Sequence, residues 1–313
     1  MGEVAARTTG QDEPAPASWT RPAGWAPVDV HTHTTLSDGT ATPTELVERA
    51  AAAGVEVLAV TDHDTTEGVA EAVEAGRARG LRVIPGMEVS ARLDGRVLHV
   101  LGYFPPAALG ALGAWQAARR AARRVRVERM LERLAALGVP VELAAILQGA
   151  DPRRAAGRLH VARALVAAGH VATTHEAFER YLGAGKPAYV EDEVPDAAGA
   201  VALIRDLGGL SSVAHPLIDG HDARLDALSR AGVEALEAYH ASHPPEEAAR
   251  LAAAARDLGL LVTGGSDYHG EPPRGPGAPP SDAPAVPPRL GATGLPPEAW
   301  AHLDAALAAR AGA

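Results

Sequence analysis

The sequence predicts an α/β fold built on seven parallel strands, with a helical segment inserted between the fourth and the fifth strand. Short runs rich in Val and Leu alternate with Ala-rich amphipathic segments, which indicates strands that alternate with helices. The alternation stops at Pro105 and Pro106 and resumes after about Tyr189. Parallel neighbours need a crossover connection, so a strand–helix–strand order predicts a parallel sheet. Periodicity alone does not separate an open sheet from a closed barrel.

The part of the chain before the interruption contains four predicted strands and two predicted helices. Residues 42–45 read Thr-Pro-Thr-Glu, a capping box with proline at the first helical position, so a helix runs from there to about residue 53. Thr65 and Thr66 are candidate caps for a second helix, which ends at Gly80. The four strands are predicted at residues 28–30, 55–60, 81–84 and 96–104.

The interruption is itself predicted to be helical, over residues 111–137, 159–168 and 175–182. After it, strands are predicted at 210–214, 233–239 and 260–264, with helices at 197–207, 223–230, 245–258 and 297–311. We therefore expect a core formed by residues 25–104 and 190–313, and a helical insertion or cap at 105–189. Residues 1–24 are predicted to be a disordered tail, and residues 271–296 a long loop rich in Pro and Gly.

Composition excludes several classes of protein. The 313 residues include no Cys, which excludes a disulfide framework, a thiolate zinc finger, an iron–sulfur cluster and a cysteine nucleophile. The 29 basic residues against 39 acidic ones argue against a broad nucleic-acid-binding surface. No apolar stretch is long enough for a transmembrane helix, and the first residues lack a secretory signal, so we expect no membrane partner and a cytoplasmic location.

Thirteen histidines accompany the carboxylates, and imidazole with carboxylate is a ligand set for Zn, Mn or Fe. His31 and His33 follow the first strand at i and i+2, so they project to one face and can hold one ion. Further residues of ligand type follow later strands or lie in them: Asp38, His63, Glu88, His99, His215, Asp267 and His269. Ligands collect at the carboxyl ends of parallel strands, so this placement predicts one shared polynuclear site.

Each of these residues has a structural explanation when it is taken alone. The His31–His33 pair could serve packing, Asp62 could cap a helix, His215 could be a core histidine and Asp267 a turn residue. Residues of ligand type at five independent strand ends favour the shared site instead.

Four segments resemble the four motifs of the PHP (polymerase and histidinol phosphatase) superfamily, and the resemblance extends over about residues 28–270. The segments are Asp29-Val30-His31-Thr32-His33-Thr34 with Ser37-Asp38-Gly39, Thr61-Asp62-His63-Asp64-Thr65, Gly86-Met87-Glu88-Val89-Ser90 and Gly265-Ser266-Asp267-Tyr268-His269. Residues 97–103, 157–165 and 181–190 resemble the TrpH-like branch, whose members are similar to nucleoside 3′,5′-bisphosphate phosphatases and 5′-to-3′ exoribonucleases.

The resemblance implies a distorted (β/α)7 barrel and a site for three divalent ions, Mn, Fe or Zn. By the resemblance, the first ion is held by His31, His33, Glu88 and Asp267, the second by Asp38, His63 and His269, and the third by Glu88, His99 and His215. A carboxylate at position 38 suits a harder ion such as Mn or Fe(II). Asp29 and Asp62 are expected to orient imidazoles rather than to bind metal.

The resemblance also implies a metal-dependent phosphoesterase, in which two ions activate a hydroxide that attacks the phosphorus of a monoester. The expected substrate is a small nucleotide or the 5′ end of a short RNA. The alternatives are another small metabolite such as histidinol phosphate, and a non-catalytic PHP module that serves a partner. The oligomeric state is left open.

Substrate contacts are expected outside the metal site. The candidates are Arg158, His160 and His243. Arg126 or Arg129 is a further candidate that could bind a second phosphate together with Arg158. The remaining histidines are expected to be structural or to lie on the surface: His170, His175, His221, His240 and His302.

Overall fold

The computed structural model describes residues 20–147, 151, 153–270 and 289–311. Most of the predicted tail and of the predicted Pro/Gly-rich loop therefore lies outside the described residues. Within the described residues, seven strands form one sheet in which each strand pairs with the next along the chain. The strands are β1 (Val28–Asp29), β2 (Val57–Val60), β3 (Arg82–Leu93), β4 (Arg96–Tyr103), β5 (Leu210–Val213), β6 (Ala235–His240) and β7 (Leu261–Gly265).

The strand β4 runs against its neighbours, so the prediction of an all-parallel sheet is wrong at this strand. The pairs β1–β2, β2–β3, β5–β6 and β6–β7 are parallel, whereas β3–β4 and β4–β5 are antiparallel. Asp94 and Gly95 connect β3 to β4 with φ values of 50° and 76°. A two-residue Asp-Gly turn with positive φ at both positions is a strong hairpin signal, because its twist matches that of paired strands.

The last strand returns to the first, which closes the sheet. Val30 donates its N–H to the Gly264 carbonyl at 3.3 Å, and further along Asp267 donates to the His31 carbonyl at 2.9 Å. His33 then donates to the Tyr268 carbonyl at 2.9 Å. The predicted distorted (β/α)7 barrel is confirmed, with the antiparallel β4 as its main distortion.

Helices cover the barrel and fill the segment between β4 and β5. They are α1 (Pro43–Ala52), α2 (Val69–Arg79), α3 (Gly113–Ala136), α4 (Leu143–Leu147), α5 (Arg158–Ala167), α6 (Thr174–Ala177), α7 (Ala197–Asp206), α8 (Leu225–Arg230), α9 (Pro245–Asp257) and α10 (Pro297–Ala311). A 3-10 turn at Pro106–Leu112 precedes α3, and a π turn at Phe178–Leu182 follows α6.

The predicted capping box of α1 forms as expected, whereas the predicted cap of α2 does not. Thr42 accepts the Glu45 N–H at 3.2 Å, and the Glu45 carboxylate accepts the Thr42 N–H at 2.9 Å. Helix α2 begins at Val69, after Gly68, without a side-chain cap. Thr66 is engaged elsewhere, because its N–H donates to Gln116 of α3 at 3.0 Å.

Three apolar clusters explain how the helices pack, and one of them joins α1 and α2 to β2 around Leu46 and Leu58. The barrel cluster includes Val100, Leu101 and Leu236, all fully buried. The helices between β4 and β5 share a different cluster, formed around Met130 and Leu165. Burial of apolar surface stabilises such clusters by about 25 cal/mol per Å². Among the described residues, no helix combines the length and apolarity needed to cross a membrane.

Candidate metal centre and adjoining cavity

The middle of the candidate site lies on β3 and β4 rather than after strand ends. Glu88 pairs with Leu101 across the antiparallel ladder, two residues from His99, so Glu88 and His99 project from the same face. An isolated parallel bridge joins Glu88 to His63. The expectation that Glu88 follows the third strand is wrong, because β3 continues as one arm of a hairpin through residue 93.

Glu88 lies at the centre of the cluster. Its side chain is buried, and its Oε2 lies 3.2 Å from His33 Nε2 and 3.1 Å from His63 Nδ1. Its Oε1 lies 3.1 Å from His215 Nε2. In the described part of the chain, imidazoles within 3.6 Å of this carboxylate come from His31, His33, His63, His99 and His215. One carboxylate shared by so many imidazoles is suited to bridge adjacent cations.

Asp38 and Asp267 face the same cluster from two loops. The Oδ1 of Asp267 lies 3.3 Å from His31 Nε2 and 3.1 Å from His33 Nε2. The Oδ1 of Asp38 lies 3.2 Å from His269 Nε2. The structure thus brings together all nine predicted ligands, from six segments of the chain.

Three segments of the site hold a non-glycine residue in the left-handed region. The φ value is 54° at Asp64, 25° at His215 and 53° at Asp267. Such conformations are uncommon for residues with a Cβ and persist where the surroundings hold them in place. Their concentration here is typical of a functional site.

Unpartnered polar atoms show that these residues fit a group of divalent cations. Buried polar atoms are normally hydrogen-bonded, yet several in the cluster lie beside opposite charges without a hydrogen bond of acceptable geometry among the described residues. They are His31 Nε2, His33 Nε2, His63 Nδ1, His99 Nδ1, His215 Nδ1 and Glu88 Oε2. Sets such as His33, Asp38, His63 and His269 offer one ligand atom each, and these atoms lie within 4.8 Å of one another. Nitrogen and oxygen donors in this arrangement suit Zn, Mn or Fe.

The electrostatics of the cluster keep its carboxylates ionised. Burial alone would raise the pKa of Glu88, but the neighbouring imidazoles of His63, His99 and His31 hold that pKa well below its usual value. Burial would lower the pKa of His33, but the adjacent carboxylates of Asp267 and Glu88 raise it to about 10. Ionised carboxylates are the state that binds cations, so the site is prepared for metal without further proton loss from its acids.

Glu237, which was not predicted from the sequence, contacts His31 at Nδ1, the ring nitrogen that does not face Glu88. Both carboxylate oxygens lie 3.1 Å from His31 Nδ1, and Oε2 also accepts the His215 N–H at 2.8 Å. A carboxylate on the far nitrogen of a ligating imidazole fixes its tautomer and orientation. The available signal was a single acid in the otherwise apolar run of β6, Ala-Leu-Glu-Ala.

Asp29 and Asp62 make no direct contact with an imidazole, although Asp62 reaches His33 through the Ser37 hydroxyl, which lies 3.4 Å from His33 Nδ1. Asp29 accepts the Ser266 N–H at 2.9 Å and so holds the backbone beside Asp267. Asp62 accepts the Thr34 N–H at 2.7 Å and the Ser37 hydroxyl at 2.5 Å. Both acids thereby hold ligand-bearing loops in place, and Asp62 also helps to position the ring of His33 through Ser37.

His240, the last residue of β6, and His243 are both buried. His240, expected to be structural or on the surface, is buried with its Nε2 3.5 Å from Asp267 Oδ2. Its Nδ1 accepts the Ser242 N–H, so Nε2 carries the proton. His243, expected to contact substrate, is only 2% exposed and its Nδ1 donates to the Ala238 carbonyl. His243 is not among the residues that line the cavity beside the cluster, so its expected contact with substrate stays a prediction. His221 is a buried structural residue, as predicted.

A cavity of about 150 Å³ adjoins the cluster. Asp38, His63 and His99 line one side of it, and residues of α3, α5 and the π turn line the other. Arg126 lies at the cavity, where it donates to Asp192 at 2.7 Å, whereas the alternative Arg129 is exposed. Of the two arginines considered from the sequence, only Arg126 is therefore placed to meet a substrate.

Arg158 and His160 present donors to this cavity. Arg123 and Arg126 are paired with Asp64 and Asp192, whereas Arg158 makes no ion pair with a carboxylate of the described residues. The Gly157 N–H donates to His160 Nδ1 at 3.0 Å, which leaves the proton on Nε2. Burial lowers the pKa of His160 to about 3, so this ring is neutral at physiological pH.

Comparison with known proteins places the chain in a family. The sequence profile of the PHP domain matches residues 29–144. A 5′-3′ exoribonuclease of Haemophilus influenzae is 35% identical over 246 residues, which span 77% of this chain and 89% of the relative. A 3′,5′-nucleoside bisphosphate phosphatase of Chromobacterium violaceum is 34% identical over 251 residues, which span 78% of this chain and 87% of the relative.

A solved structure agrees with these sequence matches. A Bifidobacterium adolescentis protein, inferred to be a metal-dependent phosphoesterase, superposes with a TM-score of 0.76 at 34% identity. The match covers 91% of this chain and 97% of that chain. The fold and the cluster are therefore those of a metal-dependent phosphoesterase, and the chain belongs to the PHP family. The resemblance found in the four motifs is confirmed.

Proposed function

We propose that this enzyme hydrolyses a phosphate monoester on a small nucleotide, of the nucleoside 3′,5′-bisphosphate type, or at the 5′ end of a short RNA in the cytoplasm. The observation that carries the proposal is the position of Arg158. Its guanidinium, without a carboxylate partner among the described residues, lines the cavity that also opens onto His63 and His99. The relatives named above, a bisphosphate phosphatase and an exoribonuclease, support a nucleotide substrate.

The nine clustered residues are proposed to hold three divalent ions, Mn, Fe or Zn, in the sets that the family resemblance implies. When bound, such ions supply Lewis acidity and lower the pKa of water toward 7. Glu88 contributes an ionised carboxylate that its neighbouring imidazoles share. Glu237 holds the proton of His31 Nδ1, which keeps Nε2 available as a ligand atom.

The two donors of the cavity are proposed to bind a second phosphate. Arg158 offers a planar guanidinium that can pair bidentately with phosphate oxygens. His160 offers its Nε2–H, which has no partner among the described residues, and stays neutral because of burial. A second phosphate at the cavity would place a monoester at the metal cluster, because the cavity and the cluster share Asp38, His63 and His99.

Residues 105–189 are proposed to act as a cap that limits substrate size. Helices α3 and α5 supply the cavity wall opposite the barrel, through Arg123, Arg126 and Arg158. A cavity walled by the barrel on one side and by these helices on the other favours a chain end or a small molecule over the middle of a long nucleic acid. This fits an acidic protein whose phosphate-binding charge is confined to one site.

Phosphate release from three substrates tests the proposal. The Mn-loaded protein is assayed with adenosine 3′,5′-bisphosphate, 5′-phosphorylated oligoribonucleotides and histidinol phosphate. We expect release from one or both of the first two, and loss of it in Asp267→Ala and His63→Ala. Release from histidinol phosphate alone would overturn the substrate class, and unchanged activity in both variants would overturn the role of the cluster.

A further inference from the structure

A carboxylate outside the four motifs faces the two imidazoles expected to hold the third ion. Asp219 lies in the loop after β5, four residues beyond His215. Its Oδ2 lies 3.1 Å from His99 Nδ1 and 3.5 Å from His215 Nδ1. All three atoms are buried, and none has a hydrogen bond of acceptable geometry among the described residues. The Asp219 oxygen thus lies within 3.5 Å of one such nitrogen on each imidazole, which makes it a candidate metal ligand.

Hydrogen bonds to the backbone of β4 hold both ends of this loop. Ala214 donates its N–H to the His99 carbonyl at 3.0 Å, at the start of the loop. At its end, the buried His221 contributes Nε2 to a hydrogen bond of 2.6 Å with the Val97 carbonyl. The loop is therefore tied at both ends to the strand that carries His99. Asp219 is held against the two imidazoles by this framework.

Glu88 by itself is poorly placed to hold the third metal ion. Its Oε1 is 3.1 Å from His215 Nε2 but 3.6 Å from His99 Nδ1. Its Oε2 is already surrounded by the imidazoles of His31, His33 and His63. Glu88 thus approaches His215 from the Nε2 side, whereas Asp219 faces the Nδ1 atoms of both His215 and His99. An ion held at these two Nδ1 atoms would therefore have Asp219 as its nearest carboxylate, and a negatively charged oxygen there would bind it more strongly.

We propose that Asp219 is an additional ligand of the ion held by His99 and His215, and that this carboxylate is needed to fill the third metal position. The inference rests on the proposed function, since it assumes that the cluster binds three ions. An oxygen ligand beside two imidazoles also suits Mn or Fe better than imidazoles alone. Loss of Asp219 leaves the ligands of the first two ions in place.

Metal stoichiometry tests this role without the use of substrate. Wild-type protein, Asp219→Asn and Asp222→Asn are loaded with Mn²⁺, freed of excess ion by gel filtration and analysed by mass spectrometry for bound metal. The Asn side chain keeps an oxygen that can accept hydrogen bonds but loses the negative charge. Asp222, on the same loop, pairs with Arg250 at the surface and is the matched control.

We expect three ions in the wild type and in Asp222→Asn, and two in Asp219→Asn. Crystals of the wild-type protein loaded with Zn²⁺ should show an anomalous peak about 2.0–2.2 Å from Asp219 Oδ2, and this measurement needs no variant. Three ions in Asp219→Asn, two ions in the wild type, or a peak that does not reach Asp219 would each overturn the inference. Wild type that binds three ions but hydrolyses no phosphate ester would refute the proposed function alone.

Discussion

Arg123 and Asp64 form a buried ion pair that joins the helical segment to the metal cluster. Arg123 donates from Nε to Asp64 Oδ2 at 2.7 Å, and its Nη2 lies 2.6 Å from the same oxygen. Asp64 directly follows His63, and its Oδ1 accepts the N–H of Ser90, two residues after Glu88. The pair therefore links α3 to two segments that carry candidate ligands, so the geometry of the cluster depends on a helix outside the barrel.

Loss of the guanidinium should destabilise the protein. Arg123→Gln leaves the Asp64 carboxylate buried with only Arg119 as a charged partner, and removal of one member of a buried pair costs about 3 kcal/mol. Urea unfolding monitored by circular dichroism measures the change. The control is Arg124→Gln on the same helix, which removes an exposed pair with Glu128 and should cost under about 0.5 kcal/mol. Equal effects of the two variants would contradict the assigned role.

The same pair predicts a dependence of stability on pH. Burial would raise the pKa of Asp64, but Arg123 and Arg119 lower it to about 2 from an ordinary value of 3.8. A lowered pKa stabilises the folded state above pH 4, and this contribution disappears as the pH falls toward 2. The difference in unfolding free energy between wild type and Asp64→Asn should therefore shrink by about 2 kcal/mol over that interval. A difference that is constant from pH 5 to pH 2 would contradict the assignment.

Glu237 should matter for metal affinity although it is not a predicted ligand. Glu237→Gln removes the charge behind His31, and loss of such a partner weakens metal binding about 10- to 100-fold. Competition with a chelator for Mn²⁺ measures the affinity. Glu234→Gln is the control. Glu234 directly precedes β6 and pairs with Arg310, so this substitution should leave the affinity for Mn²⁺ unchanged. Similar affinities for all three proteins would exclude this supporting role.

Arg158 should discriminate between substrates with one and with two phosphates. A hydrogen bond to a charged group contributes about 1.5–3 kcal/mol, so Arg158→Gln should lower kcat/KM for adenosine 3′,5′-bisphosphate roughly 10- to 100-fold. A nucleoside 5′-monophosphate should be affected little. Arg129→Gln, on the exposed face of α3, should leave both values unchanged. An equal loss for both substrates would place Arg158 at the reacting phosphate instead.

Local patterns in the sequence determine much of this protein. Seven apolar runs, the capping box of Thr42 and Glu45, and the helical segment were all predictable, because hydrophobic periodicity and helix caps depend on neighbouring residues. Seven of the nine ligand-type residues were recognisable because four motifs keep them within short segments, and His99 and His215 were recognisable because they lie in or directly after a predicted strand. The Asp94–Gly95 turn was also a local signal, and it would have predicted the antiparallel β4.

Tertiary structure alone decided which side chains meet from distant segments. Glu237 lies 206 residues from His31, and Arg123 lies 59 residues from Asp64, so no spacing in the sequence indicates either contact. Asp219 faces His99 only because hydrogen bonds at both ends of its loop hold that loop against β4. The sequence by itself determined the chemistry of the site, since chemistry follows residue type. The structure decided how that site is supported, because burial and charge pairing arise only when the chain closes into the barrel.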